Sequence, residues 1–125
     1  MNERSKRVLG WVATALVGFA FAAGGLADLL GADAVMVGMR HLGYPDYFAL
    51  ILGTWKVLGA VTIVAPGMRR LKEWAYAGMV FDLTGAIASH AAAGDALAQL
   101  ATPAVLLGLV AVSWALRPAS RRLAG

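Results

Sequence analysis

Two ionisable residues in apolar surroundings are the first candidates for chemistry in this sequence. Lys56 and Asp82 each lie near the middle of a long apolar stretch. A charge in hydrocarbon costs at least ~2.5–3.5 kcal/mol, so such side chains face protein, pair with one another or line a functional site. Because a short connection joins the two stretches, we expect a Lys56–Asp82 ion pair. This pair either fixes the register of two helices, or binds a polar group or relays a proton.

Asp28 and His90 are predicted to form a second polar site, nearer to the membrane surface. They lie at the ends of the first and third apolar stretches, which can bring them together. Histidine titrates near neutral pH, so the two residues are candidate proton acceptors, and the alternative is an ordinary solvated pair. Ser89 adds a hydroxyl group beside them. Trp55, next to Lys56, either packs within the protein or forms one wall of a ligand cavity.

Four apolar stretches position these residues and predict an all-α fold. Of the 125 residues, 60% are hydrophobic and 14% are charged, whereas soluble domains carry about 25% charged residues. The stretches cover about residues 8–30, 47–65, 74–92 and 100–116, each close to the ~20 residues that cross a bilayer. Glycine, proline and aspartate lie at the breaks between them. The sequence therefore predicts one membrane domain, residues 1–125, built as a four-helix bundle.

The basic residues predict the orientation of this bundle. Nine of the eleven Lys and Arg residues precede the first stretch, join the second to the third, or follow the fourth: Arg4, Lys6, Arg7, Arg69, Arg70, Lys72, Arg117, Arg121 and Arg122. The positive-inside rule then places both termini in the cytoplasm of a multi-pass protein of the cell membrane. We interpret these residues as topology signals and contacts for anionic lipids, and not as a nucleic-acid surface. A cleaved signal peptide is the alternative for the first stretch.

Small residues share the helical faces that carry the three buried charges. We expect these faces to be helix–helix interfaces, since small residues let helix backbones approach closely. They comprise Gly24, Gly25, Gly31, Ala49, Gly53, Gly59, Ala60, Ala75, Gly78, Gly85, Ala86 and Ser89. The segment from Ala34 to Leu42 is too short to span a bilayer and is either an interfacial helix or a plain loop.

The absence of cysteine restricts the possible chemistry. It excludes disulfides, thiol catalysis, iron–sulfur clusters and cysteine-based zinc sites. The two histidines lack the spacing of metal ligands, so no metal site is predicted. No glycine pattern for binding nucleotides is present either.

Three segments resemble the DoxX-like family of small membrane proteins. His41–Phe48 is similar to the family's Leu-Gly-Tyr-Pro segment before the second helix, and Trp55–Ala60 to its Lys-x-x-Gly pattern. Leu71–Gly78, continuing to Asp82 and His90, resembles the third helix. The resemblance covers about residues 10–115 and implies a four-helix membrane bundle. It also implies a link to quinone-dependent oxidation of sulfur compounds, to quinone or redox stress, or to receptor assembly. Because this chain has no cysteine, family roles that need a thiol in this subunit do not apply to it.

These observations favour a protein that binds a quinone or a similar apolar molecule in a polar pocket within the membrane, in a redox or stress-response system. Asp28 and His90 would accept protons, while Lys56 and Asp82 would orient the ligand. No redox centre is encoded, so this function needs a bound cofactor or a partner protein, and the chain itself is not assigned as an enzyme. The alternatives are a non-catalytic assembly or chaperone-like subunit and a small transporter or proton pathway. Self-association is also expected.

Overall fold

The computed structural model describes residues 1–123, which form five α-helices and one short 3₁₀ turn. The helices are α1 (Glu3–Leu30), α2 (Asp33–Leu42), α3 (Phe48–Val64), α4 (Arg69–Ala92) and α5 (Leu97–Ala115), followed by the 3₁₀ turn Ala119–Arg121. Residues 1–123 contain no strand, so the prediction of an all-α chain is confirmed. The helix α4 begins five residues earlier than the predicted third span, because its basic first turns are helical too.

Each connection between two of the five α-helices contains a glycine with left-handed backbone angles. Gly31, Gly43, Gly67 and Gly94 have φ values of 63°, 83°, 70° and 75°. A side chain makes this conformation costly, whereas glycine adopts it freely, and so it stops a helix without strain. These four glycines lie in or beside the breaks that the sequence predicts.

The four long helices pack as a ring around one core. Helix α1 packs against α3 and α5, and α4 completes the ring by packing against the same two helices. We call the end that holds the start of α1 and the end of α5 the terminal end, and the opposite end, where α2 lies, the α2 end. The core contains Val17, Phe21, Ala60, Ile63, Tyr76, Met79, Leu83 and Val110.

Helices α1 and α3 cross at two glycines. A Cβ atom on Gly25 would lie 2.9 Å from the Gly53 carbonyl oxygen, and one on Gly53 would lie 2.7 Å from the Gly25 carbonyl oxygen. The backbones therefore touch where the sequence predicts a small-residue interface. The prediction is wrong for α4 within this chain: Gly78 and Gly85 have no neighbour within 4 Å of a Cβ position. The small-residue face of α4 is open, since α4 packs through the larger side chains of Tyr76, Met79 and Leu83 instead.

Buried polar contacts join three helices near the terminal end. Ser113 of α5 is fully buried, and its Oγ lies 2.6 Å from Thr14 Oγ1 of α1 and 2.7 Å from the Tyr76 hydroxyl of α4. A buried hydroxyl is stabilising only when it is hydrogen-bonded, and here all three hydroxyl groups are. The network fixes the relative positions of α1, α4 and α5.

Two basic side chains cap the last carbonyl groups of α3. Lys72, only 1% exposed, donates through Nζ to the carbonyl oxygens of Thr62 (2.6 Å) and Ala65. Arg121 donates to the carbonyl oxygens of residues 63, 64 and 65 at 3.0, 3.2 and 2.8 Å. The end of a helix lacks hydrogen-bond donors and carries partial negative charge, so both cations are favoured there. Lys72 and Arg121 thus have a structural role besides the predicted one as topology signals.

Helix α2 resolves the alternatives for the first connection in favour of a helix. It runs from Asp33 to Leu42 and has no fully buried residue. Its placement on a membrane surface stays a prediction.

Two of the described helices, α1 and α5, are long and apolar enough to cross a membrane. Helix α3 is apolar but has only 17 residues. Helix α4 is longer, and Asp82 and His90 lower its hydropathy. Length and composition thus support a span for α1 and α5, and the four-span arrangement stays a prediction.

We expect Gly25→Ala to lower the free energy of unfolding by about 1–3 kcal/mol, the usual cost of overpacking. The new methyl group would lie 2.8 Å from Val57 Cγ2 and 2.9 Å from the Gly53 carbonyl oxygen. Gly24→Ala is the matched control, because nothing lies within 4 Å of a Cβ at that position. Thermal unfolding of the detergent-solubilised protein compares the two. Equal melting temperatures would contradict the close crossing of α1 and α3.

Candidate functional site

A groove of about 740 Å³ runs between α3 and α4. These two helices share the loosest of the four interfaces in the ring. The groove extends from Leu71 near the terminal end to Tyr44 and His90 at the α2 end, and Phe21 of α1 contributes to its floor. Its walls are mostly apolar and aromatic, which is the usual lining of a site for small molecules.

Most of the predicted site residues line this groove: Trp55, Lys56, Asp82, Ser89 and His90. Trp55 is 68% exposed and lies along the groove, so it does not pack inside the bundle, and its role as the wall of a ligand cavity stays a prediction. Asp28 is the exception. It is buried behind the groove and reaches it only through Lys56.

The structure pairs Lys56 with Asp28, and the predicted Lys56–Asp82 ion pair is therefore wrong. Lys56 Nζ lies 3.0 Å from Asp28 Oδ2. Asp28 follows Gly25 by three residues, and Lys56 follows Gly53 by three residues, so each charge lies one turn from a glycine of the α1–α3 crossing. The predicted pairing assumed that α3 packs most closely against α4, whereas the closest contact is between α1 and α3.

The Lys56–Asp28 pair leaves the carboxylate incompletely satisfied. Asp28 is 4% exposed, and its Oδ2 has no hydrogen-bond partner within residues 1–123, although the Lys56 ammonium lies close to it. The contact is thus an ion pair without hydrogen-bond geometry. A buried carboxylate in this state depends on its counter-ion, since the charge is costly to bury alone.

Asp82 offers a free carboxylate to the groove. It forms no ion pair and no side-chain hydrogen bond within residues 1–123. Lys56 lines the same groove from α3. Together they provide one hydrogen-bond donor and one acceptor among apolar walls, which suits a ligand with a small polar group and a large apolar part.

A second polar cluster lies at the α2 end and also corrects the sequence analysis. His90 Nδ1 lies 2.6 Å from Asp95 Oδ2, and His41 Nε2 lies 2.7 Å from Asp95 Oδ1. The predicted Asp28–His90 pair is wrong, because Asp28 is held by Lys56. Neither His41 nor Asp95 was predicted as a site residue. Gly94-Asp95 marks a turn that directs Asp95 back to the end of α4, and this was the one available signal.

The two histidines stabilise the ionised form of Asp95. The hydrogen bonds from His90 and then His41 hold the pKa of the Asp95 carboxyl below its usual range and outweigh the opposing effect of desolvation. Both nitrogens are thus engaged with a carboxylate. No group of three potential metal ligands with suitable geometry occurs within the described part of the chain.

A further hydrogen bond connects the α2–α3 loop to α4 across the end of the groove. The Tyr44 hydroxyl lies 2.5 Å from Ser89 Oγ, and the Tyr44 ring stacks on Phe48 at a centroid distance of 4.7 Å. Ser89 therefore has a structural partner beside its place in the groove. With His41 bound to Asp95, two polar contacts tie the α2 region to α4 and the loop after it.

Removing Lys56 should be far more destabilising than removing Asp82. We expect Lys56→Met to cost about 3–5 kcal/mol, because it leaves Asp28 buried without a counter-ion. The double variant Lys56→Met/Asp28→Leu should recover most of this loss. Asp82→Leu, which breaks no ion pair, is the control. Chemical unfolding in detergent measures all four proteins, and equal losses for Lys56→Met and Asp82→Leu would disprove the assigned pairing.

The Asp95 contacts should stabilise the protein in a pH-dependent way. The pKa of Asp95 is lower in the folded state than in the unfolded state. Its contribution to the free energy of unfolding is therefore fully present at pH values above the usual carboxyl pKa, and it is lost as the pH falls through the folded-state pKa. The melting temperature of Asp95→Asn should thus lie below that of the wild type at neutral pH, and the gap should narrow below about pH 4. Asp33→Asn, at the exposed start of α2, is the control. A gap that is constant with pH would contradict the prediction.

Comparison with known proteins identifies the family. The sequence model of the DoxX-like family matches residues 12–113, which is most of the chain. No match was found among curated proteins or among solved structures. The matched region includes α2, α3 and α4 entirely, and with them every residue that lines the groove. With two helices apolar enough to cross a membrane, the chain is a membrane protein that belongs to the DoxX-like family.

Proposed function

We propose that this protein binds a quinone or a similar amphipathic small molecule in the groove between α3 and α4. The observation that carries the proposal is the free Asp82 carboxylate beside the Lys56 ammonium in an otherwise apolar groove of about 740 Å³. This volume lies within the range of about 300–1,000 Å³ for small-molecule sites. Lys56 can donate to a ligand carbonyl oxygen, and Asp82 can accept from a ligand hydroxyl group.

The proposal includes four spans, with α3 and α4 as the second and third. At ~1.5 Å per residue, the 17 residues of α3 reach about 26 Å, close to the ~30 Å of a hydrocarbon core. Helix α4 is longer still. The basic residues near the helix ends gather at the terminal end, where α1 begins, α3 meets α4, and α5 ends. The positive-inside rule then favours cytoplasmic termini in the cell membrane and an external α2 end.

The groove would admit its ligand from the bilayer. Trp55, Trp74 and Phe81 line it and are 68%, 67% and 74% exposed. In a membrane these side chains face hydrocarbon, so an apolar tail can lie against them without crossing water. The polar group of the ligand would then lie deeper, near Lys56 and Asp82.

A redox or stress-response role would come from the ligand and a partner. The described residues offer no cysteine and no cluster of metal ligands, so this chain would present or sequester the redox molecule while another protein supplies electrons. A membrane partner or a second copy that covers the exposed groove is the competing proposal. The open small-residue face of α4 favours it, because such faces pack closely against other helices.

Filling the groove should abolish binding without unfolding the protein. We expect Gly85→Leu to weaken binding of decylubiquinone at least tenfold, because the new side chain occupies the groove, while no atom lies within 4 Å of a Cβ there. Gly108→Leu is the matched control: this α5 glycine is equally free of neighbours and lies outside the groove. Quenching of tryptophan fluorescence in nanodiscs measures binding, with Trp55 and Trp74 in the groove.

Two results would contradict the proposal. The first is quenching that is unchanged in Gly85→Leu, which would place the quinone elsewhere. The second is a purified wild-type protein that binds no quinone and whose native mass spectrum shows only a homo-oligomer or a partner polypeptide. That result would favour the assembly function, and Gly85→Leu should then change the oligomeric state or the partner content.

A further inference from the structure

The cluster at the α2 end continues directly from the groove to the protein surface. His90 lines the groove, and its Nδ1 is held 2.6 Å from Asp95 Oδ2. The other oxygen of Asp95 lies 2.7 Å from Nε2 of His41, whose side chain is 53% exposed. A groove residue, a carboxylate and a surface histidine thus form one hydrogen-bonded series.

This geometry defines which nitrogen of His90 is free. A neutral imidazole has one N–H donor and one acceptor nitrogen, and a carboxylate accepts only from the donor. In the neutral ring, the contact of Nδ1 with Asp95 requires the proton on Nδ1, and Nε2 is then the acceptor. Nε2 has no hydrogen-bond partner within the described residues 1–123, so it is available to a molecule in the groove.

We propose that His90, oriented by Asp95, is a proton acceptor for a ligand hydroxyl group at the α2 end of the groove, so that the groove selects ligands of the hydroquinone or hydroxyquinone class and holds them as anions. The inference rests on the proposed function of the groove. One proton moves from the ligand oxygen to His90 Nε2, and no electron is transferred. The imidazolium that forms is balanced by the Asp95 carboxylate, and the ligand oxygen retains the electron pair of its O–H bond.

His41 is a positioning residue in this arrangement. It contacts Asp95 Oδ1 and so prevents the carboxylate from turning away from His90. It also ties α2 to the loop that carries Asp95. A base that is oriented by a second group is the arrangement that makes a side chain an effective proton acceptor.

The other polar groups near the cluster are already engaged. Ser89, the residue before His90, is hydrogen-bonded to the Tyr44 hydroxyl of the α2–α3 loop. Arg40, beside His41 on α2, lies 3.4 Å from Asp46. The depressed pKa of Asp95 is consistent with a carboxylate that stays ionised while His90 gains a proton. The charge balance at His90 therefore depends on Asp95 first, on His41 second, and then on the unpaired Asp82 carboxylate, which lies eight residues earlier on α4 and lines the same groove.

A coloured ligand tests the proposal. The probe is 2-undecyl-3-hydroxy-1,4-naphthoquinone, whose visible absorption reports whether its hydroxyl group is ionised, while tryptophan quenching reports its binding. With the wild-type protein in nanodiscs, we expect the bound probe to be half-ionised at a lower pH than the probe in empty nanodiscs. His90→Gln should remove this difference with binding weakened less than threefold. Asp95→Asn should raise the half-ionisation pH by about one unit, a tenfold loss of anion stabilisation.

Controls separate this inference from the proposed function. His41→Gln should raise the half-ionisation pH of the bound probe less than Asp95→Asn does. Asp33 is a carboxylate of α2 outside the cluster, so Asp33→Asn should leave the half-ionisation pH unchanged. Binding with the same half-ionisation pH in the wild type and in His90→Gln would overturn the inference and leave the proposed function standing. If the probe and decylubiquinone both fail to bind the wild-type protein, the proposed function falls, and this inference falls with it.

Discussion

The close contact between α1 and α3 at Gly25 and Gly53 is the constraint on which the rest of the structure depends. With no side chain on either glycine, the two backbones approach until carbonyl oxygens and Cα atoms touch. The same contact places the Cβ of Asp28 against Gly53 and the Cβ of Lys56 against Gly25, so the two charged side chains meet beside the crossing. The ion pair is thus a consequence of backbone packing, and burial makes Asp28 dependent on Lys56.

Because Lys56 is committed to α1, the opposite wall of the groove retains an unpaired acid. Asp82 lies on α4, whose small-residue face is not used for packing within the chain. The result is an apolar groove with an ammonium group and a free carboxylate, lined by exposed aromatic side chains. The same openness suits an amphipathic ligand or a helix of a partner, and this is why both ligand binding and assembly are proposed.

The two ends of the bundle are built on different principles. At the terminal end, Lys72 and Arg121 donate hydrogen bonds to the last carbonyl groups of α3 and so complete that helix. At the α2 end, Asp95 connects His41 and His90, and Tyr44 binds Ser89. The contacts at the terminal end complete the end of α3, whereas those at the α2 end place titratable groups at the end of the groove.

The sequence by itself determined the all-α class, the helix breaks at glycine and five of the polar and aromatic residues that line the groove, because hydropathy, turn chemistry and charge in apolar stretches are local properties. Only the tertiary structure decided the partners. Lys56 binds Asp28 instead of Asp82, since pairing follows from which helices are adjacent and how closely their backbones approach. Likewise, His90 binds Asp95, a residue whose position depends on how the Gly94 turn is oriented. Helix periodicity determines on which face of its helix a residue lies, but it does not determine which other helix packs against that face.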